Sequence, residues 1–220
     1  QLLNSKLLNQ LNGKETKLLR EFIQDTEHMA RRIGLDSESI DHQLYRCKNL
    51  NQVERLHDKL VEQFNKTMEE ITGRGRERRK TAELLLQPFP IPPLLGDNNI
   101  VPISSRKALI EEGKQQGHCV AVYDEDIIRG RYYVYQVIAP ERATLGISIK
   151  KKQDNSQQPS LSIEQLKGYH NKTVNQATKE AVLLWFNDKN NINQKIECSL
   201  PHGSSSTIAN QHSIDKTGSK

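Results

Sequence analysis

YYVYQVI, Tyr132 to Ile138, returns after Ala139-Pro140-Glu141-Arg142 as ATLGISI, Ala143 to Ile149, and this pair sets the fold class. β-branched and aromatic residues crowd both runs, and in the second Leu145, Ile147 and Ile149 alternate with Thr144, Gly146 and Ser148, so a β-hairpin with Pro140 in its turn is expected. Downstream, the polar connector Lys150 to Ser160 leads to a third strand near LSIEQL. A helix from about Asn175 to Phe186, with Ala177, Ala181, Leu184 and Trp185, is expected to close the domain against the sheet. Upstream, Ser104 or Ser105 caps a helix that runs to about Gln116, and Gly117 supplies a left-handed stop. Val120, Tyr123 and Ile127 before Gly130 then fit a short helix, with a strand over Val120 to Tyr123 as the competing assignment.

Before Pro88 the periodicity is helical throughout. Leu2, Leu3, Leu7, Leu8 and Leu11 precede Gly13, and Leu18, Phe22, Met29 and Ile33 precede Gly34, which reads as two helices. A third runs from Ser37 to about Lys48. A fourth opens at Asn51, with Glu54 reaching back to complete the cap and Val53, Leu56, Leu60, Phe64, Met68 and Ile71 on one face. A fifth, short and basic, spans about Arg76 to Leu86. Five of the eight prolines fall between Pro88 and Pro102, a stretch that can neither continue a helix nor sit inside a sheet. The class is therefore α+β: an all-helical N-terminal region over 1–87, a proline-rich linker over 88–103, and a small α+β domain with an antiparallel sheet over 104–187. The Asn-, Ser- and Gln-rich residues 188–220 read as a mostly disordered tail.

The chain has 220 residues, of which 35% are hydrophobic, 5% aromatic and 27% charged, and its mean hydropathy is −0.73. No apolar run is long enough to span a membrane and no basic-then-apolar signal pattern opens the chain, so a cytoplasmic protein is expected. It begins at Gln1 without an initiator Met, which is compatible with a piece of a longer protein. Three cysteines without a CxxC pair suggest neither a disulfide framework nor a zinc site. The net charge of +5 favours an acidic partner, and the charge concentrates in RGRERRK. Arg74, Arg76, Arg78, Arg79 and Lys80 there are candidates for nucleic-acid contact through backbone phosphates; a solvated linker is the alternative. Helix-turn-helix, zinc-finger and RNP signatures are absent, so base readout has no support. The leucine stripes of the N-terminal helices pack either on each other or on a partner protein.

His118-Cys119 is the sharpest chemical feature. At a helix start, a thiol feels the positive end of the dipole and the free first-turn amides, which favour thiolate; His118 either lowers the thiol pKa further or acts as an acid-base group. The bland alternative is a buried structural cysteine beside a surface histidine. GxxxxGK[ST], GxGxxG, HExxH and GxSxG are all missing, so no cofactor is implied. The run Asp124, Glu125, Asp126 reads as a solvated acidic turn, because consecutive helical side chains diverge.

PFPIPPLLGDNNIVPISS, EEGKQQGHCVAVY, RGRYYVYQVIAPERATLGISI and EQLKGYHNKTVNQATKEAVLLW, in that order, resemble blocks of the PcfJ-like family. LNQVERLHDKLVEQFN, Leu50 to Asn65, resembles a helix that commonly precedes that domain. The family is named for a conjugative-plasmid protein, is found in bacterial chromosomes, plasmids and phages, and is largely uncharacterised. The resemblance implies a His-Cys hallmark at His118 and Cys119, followed by Tyr123, and further matches at Gln165 and Asn171.

The residues themselves group these positions loosely. In LSIEQL, Leu161, Ile163 and Gln165 share one strand face, so Gln165 points inward and either bonds backbone or helps to form an oxyanion hole. Tyr123, one turn after Cys119, either reaches the same pocket or simply packs, and Asn171 follows Gly168 in a turn. Two readings result. One is a mobile-element-associated protein with a Cys119-centred site formed with His118, Tyr123, Gln165 and Asn171; the other is a non-catalytic DNA- or RNA-binding accessory protein using residues 74–80.

Overall fold

The computed structural model describes residues 7, 11–73, 87–150 and 160–199, with the side chains of 71–73 and 191–199 left aside. The basic segment 74–80, the expected fifth helix, most of the polar connector and residues 200–220 lie outside the described residues. The class is α+β, as the hairpin required.

Among the described residues, three helices precede the sheet: α1 (Gly13–Arg32), α2 (Ser37–Arg46) and α3 (Leu50–Gly73). Gly13 begins α1, the second of the two helices expected there, and most of the first lies outside the described residues. Asn12 accepts from the amides of Lys14 and Glu15 while Glu15 bonds back to the Asn12 amide, and this reciprocal cap outweighs the helix-breaking tendency of glycine. In α3 the capping side chain is Asn49, which accepts from the Gln52 amide at 3.1 Å, and not Asn51. Leu19, Phe22, Met29, Ile40, Leu44, Val53, Leu60 and Phe64 bury against one another. The leucine-rich stripes of the described helices thus pack on each other.

Four antiparallel strands form a sheet in the order β1 (Ile100–Pro102), β2 (Tyr132–Val137), β3 (Ala143–Lys150), β4 (Ser160–Gly168). The hairpin pairs as expected, Tyr132 opposite Ser148 and Val137 opposite Ala143. The proline-rich joint is more than a linker, because Ile100–Pro102 supplies an edge strand, where a missing amide donor is tolerated. Leu94 is fully buried, and its carbonyl accepts from the Tyr135 hydroxyl at 3.0 Å.

Helix α4 (Arg106–Gln116) has Ser105 as its cap and Gly117 as a left-handed stop at φ 63°, both as expected. The short helix after it is a 3-10 turn, Val120–Tyr123, followed by α5 (Asp124–Ile128). Helix α6 (Gln176–Ser199) starts beside the Asn175 cap, whose side chain accepts from Thr178, and buries Val182 and Trp185. It runs well past Phe186, so 188–199 is helical where a tail was expected; extension beyond an anchored start adds one hydrogen bond per residue without a new nucleation cost.

Strand alternation divides the sheet. Tyr133, Tyr135, Val137, Leu145, Ile147 and Ile163 form one core with Trp185 and Val182 of α6. Tyr132 and Val134 face the other way, onto Leu109, Val120 and Ile127. Ile110, Cys119 and Ala121 join the core of the N-terminal helices. The Asn65 amide of α3 also donates to the carbonyls of Gly113 and His118 at 3.3 and 3.4 Å. The helical region is therefore one wall of the space around Cys119. Among the described residues, no helix is long and apolar enough to cross a membrane.

Candidate functional site around Cys119

A register irregularity in β4 builds one side of the site. Gly146 pairs with Gln165 and its neighbour Ile147 pairs with Ile163, which leaves Glu164 as the extra residue of a β-bulge. Leu161 and Ile163 stay with the α6 core and Leu166 rejoins it, but Gln165 is turned to the opposite face. The expectation that Gln165 shares a face with Leu161 and Ile163 is thereby overturned, since the bulge shifts the two-residue period. Gln165 instead donates through Nε2 to the Tyr123 hydroxyl at 3.0 Å. Opposite it, Gly146 makes room for Tyr132: a Cβ there would stand 1.8 Å from the Tyr132 hydroxyl oxygen. Tyr132 stacks on Tyr123 with centroids 4.6 Å apart.

Tyr123 passes the chain of hydrogen bonds on, donating to Asp25 Oδ1 of α1 at 3.1 Å. Asp25, His57 of α3 and Cys119 place their ligating atoms within 4.8 Å of one another. Burial raises the Asp25 carboxyl above its ordinary range, against the opposing pull of His57, the Tyr123 hydroxyl and the Cys119 thiol. Burial likewise pushes the Cys119 thiol well up, and the Asp25 carboxylate beside it adds to the effect. The expected thiolate at a helix start is therefore corrected: Cys119 precedes only a four-residue 3-10 turn, whose dipole is small, and in its dry surroundings the thiol is neutral.

His57 is 1% exposed and lies against Phe22 with ring centroids 4.9 Å apart. Its Nδ1 is 3.1 Å from Asp58 Oδ1, while its Nε2 is buried without any hydrogen-bond partner. A carboxylate only accepts, so Nδ1 carries a proton toward Asp58 and Nε2 is the ring nitrogen left for another group.

His118 has a different employment from the one its position beside Cys119 suggested. Its Nε2 meets Thr144 Oγ1 at 2.9 Å, and the Thr144 hydroxyl in turn donates to the fully buried Glu112. Arg142 and Gln136 also donate to that carboxylate. Burial lowers the His118 pKa to about 4, against the attraction of Glu112. His118 thus belongs to a neutral-histidine, threonine, glutamate and arginine network.

The site opens into a cleft lined by Asp25, Cys119, Tyr132, Gln165, Lys167 and Asn171, with His118 and Tyr123 also on its wall. About 20 Å³ of it is open to the centre of a water molecule, room for one ordered water. Cys119, His118, Tyr123, Gln165 and Asn171 are thus brought together, Asn171 from a left-handed turn at φ 58°. Of the acidic run only Asp124 departs from a solvated turn, buried between Arg32 and Arg106, each at 2.8 Å, while Glu125 and Asp126 remain open to solvent. Cys47 and Cys119 are free thiols.

A family model described as PcfJ-like protein matches residues 22–183. The chain belongs to the PcfJ-like family. No curated protein and no solved structure matches it. The PcfJ-like match begins midway along α1, at residue 22, and runs through α3 and the sheet, and so includes Asp25 and His57, which sequence reasoning missed. One signal was available for His57: with Val53, Leu60 and Phe64 it occupies the i, i+4, i+7, i+11 positions of a buried stripe, where an imidazole is out of place. Asp25 carried a similar signal: with Leu18, Phe22 and Met29 it occupies the i, i+4, i+7, i+11 positions of the α1 stripe, where a carboxylate is equally out of place.

Proposed function

We infer that this PcfJ-like chain is a mobile-element-associated protein whose chemistry is centred on Cys119, with Asp25 and His57 as its proton-holding partners. Tyr123 and Gln165 position Asp25, and His118 supports the loop from behind through Thr144 and Glu112. The supporting observation is the convergence of Asp25, His57 and Cys119 from three separate elements within 4.8 Å. A desolvated carboxyl and an unpartnered buried imidazole nitrogen both oppose folding, and an apolar trio would fill the same space at lower free energy. Their presence favours use over packing. At rest the thiol is neutral, so its proton leaves only when Asp25, His57 or an incoming group takes up the charge.

The test is Cys119→Ser in complementation of a deletion in the encoding element. Loss of function with a melting temperature within about 4 °C of the parent, roughly 1 kcal/mol for a chain of this size, is the expected outcome. Full complementation by the serine variant would end this reading. A second role is favoured by the sequence of residues 74–80, which follow directly on α3. Nucleic-acid contact through Arg74, Arg76, Arg78, Arg79 and Lys80 requires an affinity that falls steeply with salt, and a salt-independent affinity would refute it.

A further inference from the structure

The geometry points to a binding site for one divalent cation of zinc type, held by Asp25, His57 Nε2 and Cys119 Sγ, with its fourth position open to the cleft. This deepens the reading of Cys119 as the chemical centre and rests on it. Three observations carry it.

The donor set is the first. Carboxylate, imidazole and thiolate together suit a borderline-soft dication, and three protein ligands with one free position describe a reactive, not a closed structural, zinc site. A dication with one carboxylate and one thiolate is also electrically neutral, which suits a centre cut off from water. Tetrahedral bond lengths place such ligands about 3.3–3.6 Å apart, so side-chain rotations of about 1 Å close the observed trio, whose atoms already lie within 4.8 Å.

The unpartnered nitrogen is the second. His57 Nε2 is buried in a residue 1% exposed and has no hydrogen-bond partner, a state that costs free energy unless something accepts its lone pair. Asp25 and Cys119 place ligating atoms within 4.8 Å of a ring nitrogen of His57.

The third is the arrangement behind the ligands. His57 Nδ1–H is held by Asp58 at 3.1 Å, the carboxylate–histidine pairing that fixes a metal-binding tautomer. On the other side Tyr123 donates to Asp25 Oδ1 at 3.1 Å and is itself held by Gln165 at 3.0 Å, which leaves Oδ2 for a ligand. Binding balances simply. The cation forms bonds to oxygen, nitrogen and sulfur, the Cys119 proton leaves for solvent together with any proton on Asp25, and no electrons are transferred. The remaining position faces room for one water, beside Gln165 and Lys167.

The full chain, stripped with a chelator and dialysed, is titrated with Zn²⁺ against a chromophoric competitor, and separately with Co²⁺ followed by absorption. One equivalent binds, Co²⁺ shows a thiolate charge-transfer band, and Cys119→Ser abolishes that band while Cys47→Ser retains it. His57→Gln and Asp25→Asn weaken Zn²⁺ binding by more than the 10- to 100-fold that loss of an outer partner costs. Should those variants unfold, the wild-type chain still decides: bound Zn²⁺ slows alkylation of Cys119, read by mass spectrometry, at least tenfold relative to Cys47. Absence of stoichiometric uptake, uptake undiminished in His57→Gln, or alkylation of Cys119 at its metal-free rate would each overturn the site. Failed uptake with lost complementation by Cys119→Ser removes the cation and leaves the Cys119 reading standing. Uptake with intact complementation does the reverse.

Discussion

His57→Leu separates a core histidine from a functional one, because the two assign opposite signs to the same substitution. Leucine has nearly the volume of the imidazole and completes the stripe of Val53, Leu60 and Phe64. Removing a buried nitrogen without a partner relieves about 1–3 kcal/mol. Against this stand the lost hydrogen bond to Asp58, half-exposed and worth about 0.5–1 kcal/mol, and the ring contact with Phe22 at 4.9 Å, worth about 0.5 kcal/mol. The balance is a gain of about 1 kcal/mol in the metal-free protein. With a slope near 2 kcal/mol/M, the urea midpoint should rise by about 0.5 M, measured by circular dichroism in the presence of chelator. With Zn²⁺ at about 100 times its dissociation constant the parent gains about 2.7 kcal/mol that the variant lacks, and the order of the two midpoints inverts. A leucine variant destabilised by 1 kcal/mol or more in chelator would show that His57 is a satisfied part of the core, and the argument from its unpartnered nitrogen would fail.

Three further outcomes follow from other parts of the site. Gly146→Ala drives a methyl into Tyr132, whose ring must leave its stack on Tyr123; a loss of about 1–3 kcal/mol in urea unfolding is expected, and an unchanged midpoint would show that this face is loosely packed. Arg142→Ala leaves Glu112 buried without its cation. The expected loss is near the lower end of the ~3–5 kcal/mol typical of broken buried pairs, because Arg142 is a third exposed, and a thermal shift corresponding to less than about 1 kcal/mol would contradict it. The His118 pKa near 4 means that the folded state refuses a proton which the unfolded chain accepts below pH 6.5. Stability should therefore fall by roughly 3 kcal/mol as pH drops from 6.5 to 4, and His118→Gln should flatten that window; identical slopes in the two proteins would refute it.

The hairpin, the α4 cap at Ser105 and the Gly117 stop were legible because each depends on neighbours in sequence: period-two alternation, a side-chain oxygen before a helix, a residue able to take positive φ. The cap of α3 was read two residues late, at Asn51, because Asn49 and Asn51 offer the same chemistry and only backbone direction chooses between them. The edge strand at Ile100–Pro102 was hidden by its prolines, which argue against a central strand and say nothing against an edge.

The site was legible by half, and the missing half has a common cause. Cys119, Tyr123 and Gln165 could be named, yet the partners that give them chemistry come from α1 and α3, at sequence separations that no local period reports. The one local clue to Gln165 pointed the wrong way, because the extra residue Glu164 inverts strand alternation between Ile163 and Gln165. His118 illustrates the converse. Adjacency to Cys119 suggested a dyad, but successive residues leave a backbone in different directions, and here one side chain enters the Glu112 network while the other enters the Asp25–His57 trio. The N-terminal helices consequently do more than cover the sheet. Each of α1 and α3 contributes one member of the trio, so any displacement of these helices disperses the site itself, and a truncated chain that retains only the sheet and Cys119 would keep the thiol and lose both groups that set its protonation.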